Sequence, residues 1–343
     1  MGDIREPKLI IFTSGYERLS ETAKELAERF PGVPSIGTSG QALFGTGHSD
    51  TGFCAAVLLE GVTALAGVIT DLATAPIYDE PELRDKVKSV HPGIDDTVCI
   101  EFCTNAEEKL VSTINIGLGE HVPLVGGSAF DPRDKSGVKV AVNGKTYKDA
   151  CVYAVIKNNS GKIRTYRENI YSLIPGQHLH VATKVNRSTK ELLELDGRPA
   201  ADVYSEALNI PVKDIPGNVF KNPVGRIVGE DVYIASMYAV GKNDSLVFYK
   251  QVNQNDMIGI LELDDYRKIR QQTNERIRKE NPHIGFVFTV NCIFRYGLFD
   301  NEGYVPQFLS DLNSFGPYFG YTGGGEQYKD QHVNQTMVAA VFE

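Results

Sequence analysis

The sequence has no CxxC pair, no GxGxxG in register after a strand, no complete phosphate loop and no excess of basic residues. Each absence removes a class of protein. The cysteines at 54, 99, 103, 151 and 292 lie mostly in apolar, strand-like runs such as "VCIEFC". On a strand, Cys99 and Cys103 would share a face yet stand roughly 13 Å apart at about 3.3 Å per residue, too far to share a zinc ion. They are expected to be buried, reduced thiols. Lys and Arg total 35 against 44 Asp and Glu, and the net charge of -9 would repel a phosphate backbone, because no basic face is segregated. Nucleic acid is therefore not an expected partner. "NGKT" at 143–146 imitates the end of a P-loop, but its first glycine would have to fall at Lys139. "GTSGQALFGTG" (37–47) has the glycines of a dinucleotide turn without their register.

A membrane span is also missing. "GFCAAVLLEGVTALAGVI" (52–69) is long enough for one, but Glu60 and Gly61 break it, and two strands joined by a tight turn are expected instead. The N-terminus has no basic region followed by an apolar core, so no secretory signal and a cytoplasmic location are expected. What the chain has is length for two ordinary domains, 343 residues, and a hydrophobic fraction of 42%, ample for real cores.

It also has internal repetition. "LIIFTSG" (9–15) precedes a helical pattern of Leu19, Ala23, Leu26, Ala27 and Phe30, then "PGVPSIGTSG" and "GFCAAVLLE". "TVCIEFC" (97–103) precedes a helix carrying Leu110, Val111 and Ile114, then "VPLVGGSAF" and "ACVYAVI". Thr104 and Glu107 have capping-box spacing at that helix start, and Gly117 is its expected stop. "GFVFTVNC" (285–292) precedes a helix with Val305, Phe308, Leu309, Leu312 and Phe315, then "PYFGYTGGGE" and "TMVAAVF". The spacing from first-strand end to second-strand proline is 20 residues for Ser14 to Pro34 and for Cys103 to Pro123, and 25 for Cys292 to Pro317. Each copy reads as strand, helix, strand, glycine-rich exit and later strand. A right-handed β-α-β unit makes its two strands parallel, so both C-terminal ends lie on one sheet edge, where open α/β sheets commonly take ligands.

Elsewhere, "VKVAVNGKTYKDACVYAVI" (138–156) predicts a hairpin turning at Asn143-Gly144. Pro199 opens a helix with Ala200, Val203 and Tyr204, residues 209–230 read as loop-rich, and "DMIGILELDDYRKIRQQTNERIRKENP" runs from strand into a charged helix. The expected fold class is α/β, mixed α+β, of repeated β-α-β units with additional antiparallel strands in two related halves, 1–175 and 176–343.

The candidate site follows from the exits. Gly126, Gly127 and Ser128 leave the second copy's second strand; the glycine pair could set backbone N–H groups against a ligand or simply make a tight turn. In the third copy Cys292 and Arg295 leave the first strand, and Tyr321, Gly324, Gly325 and Glu326 leave the second. Arg suits a carboxylate and Glu an ammonium group, so the pair could hold a zwitterion; a plain Arg295 to Glu326 salt bridge is the alternative. Cys292 beside an arginine raises the question of a thiol nucleophile, with His332 the nearest histidine, but no oxyanion device is evident and catalysis is not expected. His178 and His180 would share a strand face without nearby ligands, so no metal is expected.

"PSIGTSG", "VPLVGGSAF", "DACVYAVI", "ELDGRPAADVYSEAL", "NCIFRYGLF", "YTGGGEQY" and "NQTMVAAVF" together, in this order, resemble the FIST family of bacterial sensory proteins, with paired N-terminal and C-terminal FIST domains. The resemblance implies a cytosolic input module for small molecules, with amino acids or related carboxylates as ligand class. It also implies an output protein, such as a kinase, cyclase or chemoreceptor, here a separate partner because the sequence ends at Glu343 without an output domain. A subset of the family binds haem and senses nitric oxide. No haem-ligating motif matches here, so no cofactor is expected, with haem as the alternative.

Overall fold

The computed structural model describes residues 4–50, 52–130 and 137–343. Its contacts divide the chain into two units. The first holds Met1–Arg167, Thr273–His332 and Met337–Glu343; the second holds Glu168–Gln272 and Val333–Thr336. The expected border near residue 175 stands beside the first crossing point, at Arg167, but the first unit then takes the chain up again at Thr273.

All three repeats lie in the first unit, apart from Val333–Thr336 of the third. The first copy runs β1 (Leu9–Ser14), α1 (Leu19–Arg29), β2 (Ser35–Ser39), a hairpin of β3 (Gln41–Phe44) and β4 (Gly47–Ser49), and β5 (Cys54–Leu58). After β6 (Val62–Thr70) and α2 (Glu80–Val90) the second copy runs β7 (Thr97–Cys103), α3 (Glu107–Leu118), β8 (Leu124–Ser128), β9 (Val140–Val142), β10 (Lys145–Tyr147) and β11 (Ala150–Asn158). β12 (Ile163–Asn169) follows. The third copy runs β13 (Phe286–Cys292), α4 (Ile293–Asn301), α5 (Val305–Asn313), β14 (Tyr318–Gly323), β15 (Glu326–Tyr328), β16 (Gln331–Val333) and β17 (Thr336–Phe342).

In every copy the first strand sits between the second, parallel to it, and the last, antiparallel to it. Thus β1 pairs with β2 and β5, β7 with β8 and β11, and β13 with β14 and β17. The hairpins are exchanged around a ring. The first copy's β3 pairs with β14 of the third, the third copy's β15 with β8 of the second, and the second copy's β9 with β2 of the first. Each sheet is therefore completed by its neighbour, which makes the three copies one cooperative unit.

Strand alternation sorts side chains between two faces. Leu9, Ile11, Ile100, Phe102, Phe288, Val290 and Tyr321 enter one apolar cluster shared by all three sheets. The residues between them face outward. Ile10 and Phe12 meet Leu19, Ala23 and Leu26 of α1, and Cys99 and Cys103 meet Leu110, Val111 and Ile114 of α3. At full burial, one such aliphatic side chain contributes about 1.5–3 kcal/mol.

The run 52–69 is two strands around Gly61, which has φ +72°, but they lie in separate sheets, β5 beside β1 and β6 beside β11. Asn143 and Gly144 turn the β9–β10 hairpin with φ values of 48° and 85°, as the type I′ reading requires. The capping box is corrected. Ala106, in a left-handed conformation, precedes α3 without any side-chain cap, and Thr104 Oγ1 accepts from the Ala150 N–H at 3.1 Å. Gly117 does not stop α3, which runs through Leu118 and ends at Gly119; at Gly117 a Cβ would stand 2.8 Å from a Leu83 methyl.

The second unit is dominated by antiparallel strands, among them His180–Asn186, Glu191–Leu195, Val224–Val228, Asp231–Ala235 and Met257–Leu263, with the helix Ala200–Leu208 opened by Pro199. The span 209–230, read as loop-rich, also holds the strand Val224–Val228. Glu168 and Arg270 form a fully buried ion pair there at 3.1 Å.

Candidate functional site

One glycine recurs at the same place in each second strand. Gly37, Gly126 and Gly320 lie in register with Phe12, Glu101 and Thr289 of the paired first strand. A Cβ would fall 2.5 Å from the Phe12 ring, 2.3 Å from Glu101 Oε1 and 2.3 Å from Thr289 Oγ1, so the first-strand side chain lies across the glycine. Two residues on, each strand presents a hydroxyl: Ser39, Ser128 and Thr322.

The exits then converge. Gly40 bridges Phe130. The Gly324 N–H donates to the Ser128 carbonyl at 2.9 Å, the Ser128 N–H to the Gly325 carbonyl at 2.9 Å, and the Tyr321 hydroxyl to the Ser128 carbonyl at 3.0 Å. Glu326 stands opposite Gly127 in the β8–β15 ladder. Of the residues chosen from sequence, Gly126, Gly127, Ser128, Tyr321, Gly324, Gly325 and Glu326 are thus brought together around one strand end.

Cys292 reaches the same strand end, in register with Gly323 of β14, and Arg295 follows it in the next helix. Cys292 ends β13, fully buried, and occupies the N-cap position of α4. Arg295 is in the first turn of α4, also fully buried; it donates through Nη1 to Asn291 Oδ1 and lies over the Phe299 and Phe308 rings, 4.6 and 5.3 Å from their centroids. Glu326 is fully buried as well, in β15.

A polar cluster gathers at the strand exit of the second copy, with side chains from the third. Ser128 Oγ donates to Glu107 Oε1 at 3.0 Å and accepts from Gln327 Nε2 at 3.3 Å and Cys103 Sγ at 3.7 Å. His332 Nδ1 lies 3.0 Å from Gln327 Nε2 and 3.2 Å from the Glu326 carbonyl. Behind Cys103, the Cys151 thiol donates to Glu101 Oε2 at 3.3 Å. Burial pushes Glu101 up to about 8, with Glu107's negative charge acting the same way, so its carboxyl is largely protonated at neutral pH. Burial also raises Cys99, Cys103 and Cys151 well above the usual thiol range, and the charge of Glu101 adds to it.

Ser128 is a site residue by sequence, whereas local spacing reads Glu107 as part of a cap and Cys103 and Cys151 as buried thiols. Glu101 was the available signal, a carboxyl on the same strand face as two cysteines in an otherwise apolar run. By sequence His332 is singled out only as a histidine for Cys292; its place, with Gln327, at Ser128 depends on the hairpin exchange.

In the second unit, His178 and His180 stack edge to face at 5.7 Å, and His180 Nδ1 lies 2.6 Å from Asp196 Oδ2. Both line a cavity of about 340 Å³ with Arg198 and Glu206. Among the described residues, no group of three or more His, Cys, Asp or Glu side chains is arranged to hold a metal ion. No helix among them is long and apolar enough to cross a membrane.

Fold and cluster define an α/β repeat protein with a buried polar network at its strand exits. Comparison supplies the family: residues 8–198 match the FIST N domain and residues 200–329 the FIST C domain, so the chain belongs to the FIST family. FIST domains are associated with sensory signal transduction. The chain is also similar to an uncharacterized protein of Methanocaldococcus jannaschii, 22% identical over 236 residues, which cover 62% of this chain and 43% of that protein. The match thus spans less than half of the relative's length.

Proposed function

We propose that this protein is a cytoplasmic sensory module that binds a small metabolite, an amino acid or related carboxylate, without catalysis, and passes its state to a separate signalling protein. The observation that carries this reading is the chain Glu107–Ser128–Gln327–His332 beside the converging exits of Gly40, Phe130 and Gly324. Hydrogen-bonding groups gathered at the carboxyl ends of parallel strands suit orientation of a small polar ligand. The carboxylate of Glu107 would take an ammonium group. Arg295 and Glu326 would supply opposite charges for a zwitterion, provided their buried positions open on binding.

The test is a thermal-shift panel of amino acids and related carboxylates on the wild type, Ser128→Ala and Arg295→Ala. A ligand specific for the folded state adds about 2.7 kcal/mol at a hundredfold excess over Kd. The reading expects one amino acid to stabilise the wild type and to fail on Ser128→Ala. A panel that shifts nothing removes the amino-acid class.

A further inference from the structure

The last strand of each copy occupies an equivalent place, and two of the three are covered on their outer edge. β6 pairs with β11, antiparallel over its whole length, and β12 pairs with β17. β5 pairs with β1 alone among the described residues and ends its sheet. Ile10 donates to Pro34 on the β2 side, so residues 9, 11 and 13 face β5, and their partners 58, 56 and 54 face β1. Ala55, Val57 and Leu59 therefore point their backbone N–H and C=O groups away from the sheet.

This open edge borders a cavity of about 530 Å³ whose lining runs along Ala55–Val62 and across to Phe286, Tyr318 and Phe342. It lies where β6 and β12 lie on the other two copies. The covering strands show what such a place takes. β6 turns Val62, Ala64, Ala66 and Val68 toward the shared apolar cluster, and β12 turns Ile163 toward it. Glu60, exposed at one end of the cavity, puts a negative charge on its rim.

We propose that β5 is a docking edge for an extended segment of a partner polypeptide, added antiparallel as a further strand. The segment carries an apolar residue at every second position, small in the middle, and a basic residue beside Glu60. Backbone hydrogen bonds to Ala55, Val57 and Leu59 supply affinity, and the cavity selects alternate side chains. This inference is independent of the metabolite site and stands or falls separately from it.

The probe is a fluorescein-labelled peptide of residues 62–70, VTALAGVIT, with two lysines added at its N-terminus, which antiparallel docking places near Glu60. A second probe carries residues 163–169. Anisotropy should show saturable binding of at least one. Amide exchange at Ala55, Val57 and Leu59 should slow at least tenfold, Glu60→Lys should weaken binding, and N-methylation of alternate peptide residues should abolish it. Failure of both peptides to bind, binding without protection of those amides, or equal binding of the N-methylated peptide overturns the proposal. So do amides already protected in a free protein that sediments as a dimer, an outcome that assigns the edge to a second copy.

Discussion

Ser128 on β8 and Glu107 in the first turn of α3 are joined by a 3.0 Å hydrogen bond in which the serine hydroxyl donates. The same oxygen accepts from Gln327 of another copy, so one hydroxyl ties a helix, a sheet and an exchanged hairpin.

Ser128→Ala removes the hydrogen bond to Glu107 and the two that the hydroxyl accepts, at about 1–3 kcal/mol. Urea unfolding should show the loss, and Ser128→Thr should recover most of it. A stability of Ser128→Ala equal to the wild type would show that the hub is structurally idle.

Glu101 gives stability a pH slope of known sign. Its carboxyl holds a proton up to about 8 in the folded protein and releases it near the ordinary glutamate value of 4.5 when unfolded. Between those values the unfolded state binds fewer protons, so stability falls as pH rises and levels off above about 8. Glu101→Gln keeps a neutral side chain at all pH values. It should lack this slope and exceed the wild type by several kcal/mol near pH 8, on the order set by 1.4 kcal/mol per pH unit. Parallel urea midpoints for both proteins from pH 5 to pH 8 would contradict it.

The repeated glycines should differ in tolerance. At Gly126 a Cβ meets the Glu101 backbone oxygen at 2.5 Å, whereas at Gly320 the nearest backbone oxygen, of Thr289, is 3.2 Å away. Gly126→Ala should cost more than Gly320→Ala, each on the order of 1–3 kcal/mol or above. Thermal unfolding of the two variants gives the ranking directly.

In the second unit, Arg270→Met alone leaves Glu168 as a buried carboxylate and should destabilise by about 3–5 kcal/mol. Adding Glu168→Leu should restore a large part of this. A double variant as unstable as the sum of the singles would mean that the two charges do not act as a pair.

Much of the architecture was legible because it is periodic. The three β-α-β copies, the Asn143-Gly144 turn and the helix after Pro199 all rest on local spacing and backbone preference. The capping box at Thr104 was misread because Ala106 can enter the left-handed region and start α3 without a side-chain cap. Arg295 does follow the strand exit, and what local spacing does not show is that the helix Ile293–Asn301 starts there and lays its guanidinium onto the Phe299 and Phe308 rings.

The sequence by itself determined the repeated unit, the parallel pairing within it and the buried state of most cysteines, since each follows from residues close along the chain. The tertiary structure decided which copy carries the polar cluster and which last strand stays open. Both depend on hairpins and covering strands supplied from elsewhere in the chain. Gln327 reaches Ser128 across 199 residues of sequence, and no local periodicity encodes a contact of that range.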